Sequence, residues 1–564
     1  MDAIARPSTM NLKSVASQLL RTSWFWPALI AAAAWGTIVV ALDPAGDHPG
    51  LYDGPGLTVD EPFNVGQGVA LADRLFAGDV AGFRRVDAGL PDHPPLGRVW
   101  IGVCHELAWL FFPPANPGAP YSITCARTGS ATAFAALVLL VGSCAGRWYG
   151  RWGGAAAALA LVLMPRLFGH AHLAALETSV NLTCTAVVLF LAEKWGAPPQ
   201  TKAQRGSNGL PGEDWKWNRA LGTAAVGGLL FGLALLTKVQ AVLLPIPIAV
   251  WAILQMRHRA FLLLAVLGIT GLVVFFAFWP YLWNAPLGHL REYLGRTTNR
   301  AAIQVWYFGR AMADRDVPWH YPWVMFLSTV PIGLHLLGGL GVCGGERRAW
   351  ETPRERLLLA CAVFPLVVFS VPGVAVYDGE RLFSIVFPLW ALLIGRGAEI
   401  ARLALSSRVS PRAAALALAI FLAGQGYGLF AMAPSWLSYY NVLVGGLPGA
   451  AKLGLEISYW GDGVTRTFLK EAADRVPAGE TIAVLPVLYD AQWNELRLQS
   501  PILRARDLRL VPFGSKETSR PRYVLLFMRP EYLPMEFRLP LDESRVLTAV
   551  SRQGIPLAVL LEKP

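Results

Sequence analysis

The sequence carries little charge for its length. Only 15% of its 564 residues are Asp, Glu, Lys or Arg, whereas 54% are hydrophobic. An ordinary soluble domain carries about 25% charged residues. These values exclude a disordered chain, a collagen-like chain and a single soluble domain, and they predict many membrane spans. The 49 basic and 38 acidic residues still require water, so one or more aqueous segments must accompany the spans.

Cysteine motifs, internal repeats and low-complexity tracts are also lacking. The six cysteines are scattered, without the CxxC spacing that is typical of zinc and redox sites. The missing repeats exclude solenoids and propellers. The net charge is +11, but no basic stripe with interleaved aromatic residues lies outside the apolar stretches. We therefore expect no nucleic-acid partner.

Apolar stretches long enough to form spans recur through the first 434 residues. The first is too long for the core of a signal peptide, so we interpret it as a retained span. The third is short and rich in alanine, and Pro165 ends it. The pattern predicts a mainly helical bundle of about eleven spans, at residues 23–42, 129–146, 153–165, 175–192, 220–237, 240–256, 261–283, 323–343, 357–373, 382–395 and 413–433.

Loop charges indicate how these spans are oriented. With a cytoplasmic N-terminus, the inner segments hold 20 Lys and Arg, whereas the outer residues 43–98 hold nine acids against four Arg. The positive-inside rule favours this arrangement. The outer segment 284–322 dissents with five Arg. We predict a multi-pass integral membrane protein, in the cytoplasmic membrane if the source is bacterial, with its C-terminal domain outside.

The composition changes after residue 434. Residues 462–476 have the periodicity of an amphipathic helix, and 481–487, 523–528 and 557–562 have the pattern of short strands. Such a segment is long enough for a small domain. The predicted organisation is a transmembrane domain at 1–434, with outer loops at 43–128 and 284–322, followed by an extracytoplasmic α/β domain at 435–564.

The loop 43–128 holds the clearest polar motifs. The letters DEP at 60–62 precede a predicted helix over 64–77, and DHPPLGR at 92–98 leads into an amphipathic helix over 99–112. A carboxylate at a membrane surface can take a proton from a hydroxyl or amine, which makes Asp60 a candidate general base. Because Pro62 suits an early helical position, Asp60 could equally be a helix N-cap. The spacing leaves both roles open.

Other polar residues fall on the same predicted side of the membrane. A transporter would more often place such groups mid-span, at broken helices, so an outer catalytic face fits them better. Residues 170–172 read His-x-His, and with Glu177 they could either bind a metal from a loop or contact the substrate. The set comprises Arg166, His170, His172, Glu177, Lys238, the Arg residues of 291–310, and the segment 377–381.

The ordered pair DE and DHPPLGR resembles the GT-C glycosyltransferases that use polyprenyl-phosphate sugars. The protein O-mannosyltransferases carry a DE pair and an HPPLGK-type motif, and the family-39-like and lipid A aminoarabinose transferases share this layout. Further similar stretches are RLFGHAHLAALETSVN at 166–181, LALLTK at 233–238, WYFGR at 306–310, PWHYPW at 318–323, GERLFSIVFPLW at 379–390, SYYNVLVGG at 438–446 and YWG at 459–461.

The resemblance implies that a sugar moves from a polyprenyl phosphate to an acceptor on the outer side, with inversion. By this analogy Asp60 is the catalytic carboxylate, and Glu61 holds either the loop or the acceptor. His93 positions the donor or its phosphate, and Arg98 stands where the mannosyltransferases carry Lys. Those enzymes carry His at the position of Phe63, so the sugar and the acceptor stay open.

The chemistry of the leaving group accounts for the cations. A departing polyprenyl phosphate gains negative charge, which Arg or Lys stabilises. The candidate phosphate ligands are His93, Arg98, Lys238, Arg381 and one of Arg296, Arg300 and Arg310, each of which could instead be an interfacial side chain. The candidate substrate rim comprises His170, His172, Glu177, Tyr377 and Glu380.

We therefore expect a membrane glycosyltransferase that transfers a monosaccharide to an acceptor hydroxyl or amine. Its partners are the lipid-linked donor, membrane lipid, and a protein, lipid or glycan acceptor. We expect no obligatory cofactor, and a divalent metal at the His-x-His site stays an alternative. The rival functions are a same-fold modifier of lipid A or polysaccharide, a transporter or flippase of lipid-linked sugar with an accessory domain, and an inactive assembly subunit.

Overall fold

A computed structural model describes residues 22–196, 217–298, 301–515 and 521–563. Predictions that concern the first 21 residues and Arg300 therefore lie outside the described residues. The described chain forms a helical bundle followed by a smaller sheet-containing unit. This confirms the predicted fold class, a mainly α membrane bundle with a C-terminal α/β part.

The described part of the first 434 residues folds mostly into helices. In chain order they are α1 (Phe25–Val39), α2 (Glu61–Phe76), α3 (Val80–Gly89), α4 (Pro95–Phe111), α5 (Ile123–Tyr149), α6 (Arg151–Val162), α7 (Pro165–His170), α8 (Glu177–Trp195), α9 (Trp217–Thr237), α10 (Pro245–Met256), α11 (Arg259–Ala277), α12 (Pro286–Thr298), α13 (Tyr321–Thr329), α14 (Ile332–Cys343), α15 (Pro353–Val368), α16 (Val386–Ser406), α17 (Pro411–Gly424) and α18 (Tyr427–Ala431). A hairpin of β1 (Gln304–Tyr307) and β2 (Arg310–Ala313) lies within the segment 284–322.

Every predicted span contains a helix, but the helices differ in length. About 20 apolar residues are needed to cross the hydrocarbon core at 1.5 Å per residue. By length and composition, five helices of the described residues can cross alone, namely Ile123–Tyr149, Trp217–Thr237, Val239–Met256, Arg259–Ala277 and Pro411–Ala431. The pair α13 and α14, which is bent by 110°, is a sixth candidate span.

The predicted count of eleven crossings exceeds the number of helices that meet this requirement. The apolar helices α1 and α6 have 15 and 12 residues. Helix α6 begins after Gly150, whose φ of +88° ends the preceding helix, and it stops before Pro165. Hydropathy alone does not reveal these breaks, because glycine and proline interrupt the helix without lowering the apolar content much.

Close packing of small residues positions α9, the helix that precedes Lys238. A Cβ added to Gly228 of α9 would lie 2.5 Å from the Leu267 carbonyl oxygen of α11. A Cβ added to Gly232 would lie 2.7 Å from the Gly271 carbonyl oxygen. Glycine therefore lets the two backbones approach, as is typical of helix pairs in membranes.

Helices α2 and α4 pack side by side in the first outer loop. A Cβ added to Gly68 would lie 2.6 Å from the Arg98 carbonyl oxygen, and one added to Gly102 would lie 3.0 Å from Ala72 Cβ. The residue numbers of the contacting pairs thus increase in the same direction along both helices, so the two helices run parallel. Their N-terminal ends therefore lie at the same end of the pair. Both begin three or four residues earlier than predicted, because prolines occupy their first turns.

After residue 434 the chain builds a five-stranded sheet with the order β4-β3-β5-β7-β6. The parallel strand β3 pairs with β4 and β5, and β7 is antiparallel to β5 and β6. Strands β4 and β6 were not predicted, since β4 is short and β6 is mostly unburied. The elements are β3 (Thr481–Leu485), β4 (Arg509–Pro512), β5 (Tyr523–Phe527), β6 (Val546–Arg552), β7 (Ile555–Glu562), α19 (Gly446–Lys452), α20 (Arg466–Arg475), α21 (Asp490–Gln499) and α22 (Pro501–Ala505).

This sheet-containing unit rests on the first outer loop. Gln492 Nε2 of α21 donates to the carbonyl oxygens of Leu57 and Trp460, at 2.8 and 2.9 Å. Arg466 Nη1 of α20 donates to Asp43 Oδ2 at 2.7 Å. These bonds hold the segment that leads into Asp60 against the C-terminal unit.

Candidate functional site

Asp60 occupies the N-cap position of α2, but its side chain serves another purpose. Within α2, which the structure describes in full, the carboxylate accepts no capping hydrogen bond. It accepts one from Arg381 Nη2 instead. The Asp60 side chain is 30% exposed, so a solvent-borne group can reach it. Of the two roles that the sequence left open, capping by this side chain is absent from the described contacts.

Glu61, the next residue, is fully buried and accepts five hydrogen bonds. Arg127 donates to both of its oxygens at 2.7 and 2.8 Å, and the backbone N–H of Ala174 donates at 2.8 Å. Thr58 adds its backbone N–H at 2.9 Å and its hydroxyl at 3.0 Å. A carboxylate so enclosed does not reach a substrate. Of the two roles left open for Glu61, these contacts fit holding the loop that carries Asp60.

Arg381 connects three carboxylates. Besides Asp60, its Nε donates to Glu177 Oε1 at 2.6 Å and its Nη1 donates to Asp378 Oδ2 at 3.2 Å. The guanidinium carbon lies 4.5 Å from the centre of the Trp460 ring, which is a favourable cation–π distance. The Arg381 side chain is only 12% exposed, so it lies inside the protein, where it contacts the more exposed Asp60.

Lys238 completes this cluster from the end of α9. Its Nζ donates to Glu177 Oε1 at 2.5 Å, so one carboxylate oxygen is shared by Lys238 and Arg381. Burial lowers the pKa of Lys238, while the Glu177 carboxylate raises it. The other oxygen, Glu177 Oε2, is buried without a hydrogen-bond partner among the described residues. We refer to Asp60, Glu177, Lys238 and Arg381 as the charged cluster.

Arg98 is not available to a ligand, contrary to the prediction. Its guanidinium makes a bidentate pair with Asp92 at 2.7 and 3.0 Å, and it also donates to Asn64 Oδ1 and the Leu90 carbonyl oxygen. Only 2% of Arg98 is exposed. Its bonds instead join α2 to α4 and secure the turn before His93.

His93 lies beside these cations in a partly exposed position. Burial lowers its pKa and Asp92 raises it, and together with the positive charges of Arg98, Lys238 and Arg381 the result is a pKa of about 3. The imidazole is therefore neutral at pH 7. It offers a hydrogen bond to a ligand, whereas a cationic contact to phosphate is not expected from it.

The predicted rim residues separate into two groups. Glu177 belongs to the charged cluster, and Tyr377 is half-buried in the turn before Arg381. Glu380 is buried, and its Oε2 accepts a hydrogen bond from Arg166 at 2.7 Å. His170 is also buried, with its Nε2 at 3.7 Å from Glu380 Oε1. Glu380 and His170 are therefore buried beneath the turn that carries Arg381 and do not line an exposed rim.

His172 has different surroundings from His170. It is fully buried, its Nδ1 is 2.7 Å from the Phe168 carbonyl oxygen, and its ring packs 4.2 Å from that of Trp436. Among the described residues, no group of three or more His, Cys, Asp and Glu side chains could hold a metal ion. Consecutive turns of α7 and the following loop place the two histidines in different surroundings.

An apolar groove of about 320 Å³ is lined by residues close to Lys238 in the chain. Leu235 and Val239, on either side of Lys238 in the sequence, line it together with Phe275 of α11 and Leu290 of α12. Arg296 and Arg310, the described phosphate candidates of the segment 284–322, have other surroundings. Arg296 pairs with Glu292 on the exposed face of α12, and Arg310 is exposed on the hairpin.

Sequence reasoning missed three residues of this site, Arg127, Trp460 and Arg529. Arg127 had a usable signal, because it is a lone cation at the start of a long apolar helix. Trp460 lies in the YWG stretch but was not singled out. Arg529 follows β5 and donates to Asp378, a long-range contact that no local pattern reveals.

Searches for related proteins give limited results. No family model matches the chain, and no curated protein matches it. Among solved structures, ArnT from Cupriavidus metallidurans bound to undecaprenyl phosphate is similar, with 14% identity, a TM-score of 0.47, and coverage of 98% of this chain and 100% of that one. The archaeal oligosaccharyltransferase AglB from Archaeoglobus fulgidus, in complex with an inhibitory peptide and a dolichol-phosphate, has 9% identity and a TM-score of 0.45, covering 89% of this chain and 69% of that one. Likenesses at this level do not decide what this chain does.

Proposed function

We propose that this protein is a membrane glycosyltransferase that moves a monosaccharide from a polyprenyl-phosphate donor to an acceptor hydroxyl or amine. The observation that carries the proposal is the charged cluster. It combines a partly exposed carboxylate, Asp60, with two cations, Lys238 and Arg381, and the residue after Lys238, Val239, helps to line an apolar groove. A base, a phosphate site and a lipid site are the three parts that such a reaction requires.

The donor would bind with its phosphate at Arg381 and Lys238. Both cations are now neutralised by Asp60 and Glu177, so an arriving phosphate would compete for their N–H groups. Guanidinium groups suit phosphate because they donate two parallel hydrogen bonds. The prenyl chain would lie in the apolar groove that Val239, the residue after Lys238, helps to line.

Asp60 would act as the general base once phosphate has taken its place on Arg381. Its oxygen accepts the proton of the acceptor O–H or N–H, and the acceptor atom attacks the anomeric carbon of the sugar. The bond between that carbon and the phosphate oxygen breaks, and the electron pair leaves with the polyprenyl phosphate. Arg381 and Lys238 stabilise the charge that develops on it. Attack opposite the leaving group gives inversion.

The positions of the cluster residues favour an enzyme over a transporter. Asp60 and Glu177 stand at the N-terminal ends of α2 and α8, Lys238 follows α9, and Arg381 precedes α16. All four thus lie at helix ends, whereas transporters bind substrates at broken helices near the midplane. We place this face outside the membrane and the N-terminus in the cytoplasm, because the inner segments are rich in Lys and Arg, whereas residues 43–98 hold nine acids against four Arg.

We propose that the acceptor is a protein, lipid or glycan of the cell envelope and that no metal is required, since Arg381 and Lys238 supply the positive charge. The test is to incubate the purified protein with labelled polyprenyl-phosphate sugars and separated protein, lipid and polysaccharide fractions, with and without EDTA. Label that moves to one fraction and is insensitive to EDTA supports the proposal. Binding of every donor without transfer to any fraction would favour a lipid-linked-sugar transporter.

A further inference from the structure

The turn that presents Arg381 has a backbone that needs outside support. Asp378 and Gly379 have φ values of +55° and +66°. Left-handed conformations are unfavourable for residues other than glycine, although Asp tolerates them better than most. Such a turn persists when its surroundings hold it. Tyr321 contributes by accepting a hydrogen bond from the Gly379 N–H at 3.0 Å.

The side chain of Asp378 is held from two directions. Its Oδ2 accepts hydrogen bonds from Trp460 Nε1 at 2.9 Å and from Arg381 Nη1 at 3.2 Å. Its Oδ1 accepts a hydrogen bond from Arg529 Nη2 at 2.9 Å. Arg529 therefore occupies the oxygen opposite Arg381, and it fixes the rotation of the carboxylate that Arg381 contacts.

Arg529 is itself rigidly placed. Only 3% of it is exposed, its Nε donates to Glu531 Oε1 at 2.5 Å, and its Nη1 donates to the Tyr459 carbonyl oxygen at 2.6 Å. It lies two residues after β5, a strand in the middle of the C-terminal sheet. A buried arginine with three protein acceptors does not touch a substrate, so any influence on the reaction acts through its neighbours.

We propose that Arg529 is a positioning residue through which the C-terminal sheet orients Arg381 for phosphate. The chain of contacts runs from Arg529 to Asp378 and from Asp378 to Arg381. This inference rests on the proposed function, because it gives Arg381 a phosphate to bind. It assigns to the C-terminal unit a part in donor binding, in addition to stabilising the fold.

The test measures binding of labelled undecaprenyl phosphate, with undecaprenol as the probe that lacks the phosphate. The wild type should prefer the phosphate, and equal binding of both lipids would refute the proposed donor site itself. Given that preference, Arg529→Gln should weaken phosphate binding about tenfold, as the loss of a charge-assisted hydrogen bond does. Undecaprenol binding should stay unchanged.

A double-mutant cycle separates positioning from general damage. In an Arg381→Gln background, Arg529→Gln should weaken phosphate binding no further. If the two effects multiply instead, or if Arg529→Gln binds the phosphate as the wild type does, the inference is overturned. Should Arg529→Gln fail to fold, Trp460→Phe replaces it in the cycle, because this variant loses the donation to Asp378 and keeps an aromatic face for the Arg381 guanidinium. Trp460→Phe should weaken binding about threefold in the wild type and leave Arg381→Gln unaffected, and wild-type affinity of Trp460→Phe would contradict the inference.

Discussion

At the scale of residues, two adjacent acids of one motif have opposite surroundings. Asp60 is partly exposed and pairs with Arg381, whereas Glu61 is fully buried and pairs with Arg127. The sequence predicted the importance of both but not the difference, because burial of Glu61 depends on Arg127 and Ala174, which lie 66 and 113 residues away in the chain. The Glu61 carboxylate is saturated with hydrogen bonds, so it stabilises the loop. The Asp60 carboxylate pairs with Arg381, a cation that can exchange it for a phosphate, so it is suited to act as a base.

This difference predicts unequal effects on stability. Glu61→Gln should destabilise the protein by about 3 kcal/mol or more, because it leaves the buried guanidinium of Arg127 without its counter-charge. The check is the Tm of the purified protein in detergent. Asp60→Asn is the matched control, and its Tm should stay close to that of the wild type. Equal losses in the two variants would contradict the roles assigned to these acids.

At the scale of elements, hydropathy located the helices of the bundle but not all of their ends. Helix α6 has only 12 residues because Gly150 and Pro165 bound it. Of the candidate site, the sequence supplied Asp60, Glu177, Lys238 and Arg381, since polar residues in an apolar chain are conspicuous. The sequence could not show that Arg98 pairs with Asp92 or that Arg529 donates to Asp378, because both contacts depend on tertiary packing.

The groove beneath α12 yields a prediction for that element. Leu290→Asn should weaken binding of a long-chain polyprenyl phosphate about tenfold, since one buried leucine contributes about 1.5–3 kcal/mol. Binding of a phosphate ester with a very short chain should not change. Leu336→Asn is the control, because Leu336 is an exposed apolar residue of α14 outside the groove. A loss for both chain lengths would show that α12 does not cover the chain.

At the scale of the whole molecule, the proposed orientation divides charge between the two sides of the membrane. The predicted inner loops are basic, and the face that carries Asp60 and Arg381, which we propose to lie outside, is more acidic. The C-terminal sheet packs against that face through Gln492 and Arg466. Orientation and site therefore depend on each other, because the sheet and the first outer loop must lie on one side.

Cysteine labelling from each side of the membrane tests this arrangement. The exposed native Cys343 lies next to a predicted inner loop and should react only when the reagent reaches the cytoplasmic side. In a Cys343→Ser background, an exposed cysteine introduced by Ala115→Cys should react from the outside. Reaction of both positions from the same side would refute the orientation proposed for the charged cluster.

The most direct test of the proposed reaction compares transfer and donor binding in Asp60→Asn. The variant keeps the size of the side chain and removes its ability to take a proton. It should bind undecaprenyl phosphate with at least wild-type affinity, because the amide competes less for Arg381, and it should lose sugar transfer by a factor of about 100 or more. Full transfer activity in Asp60→Asn would contradict the account.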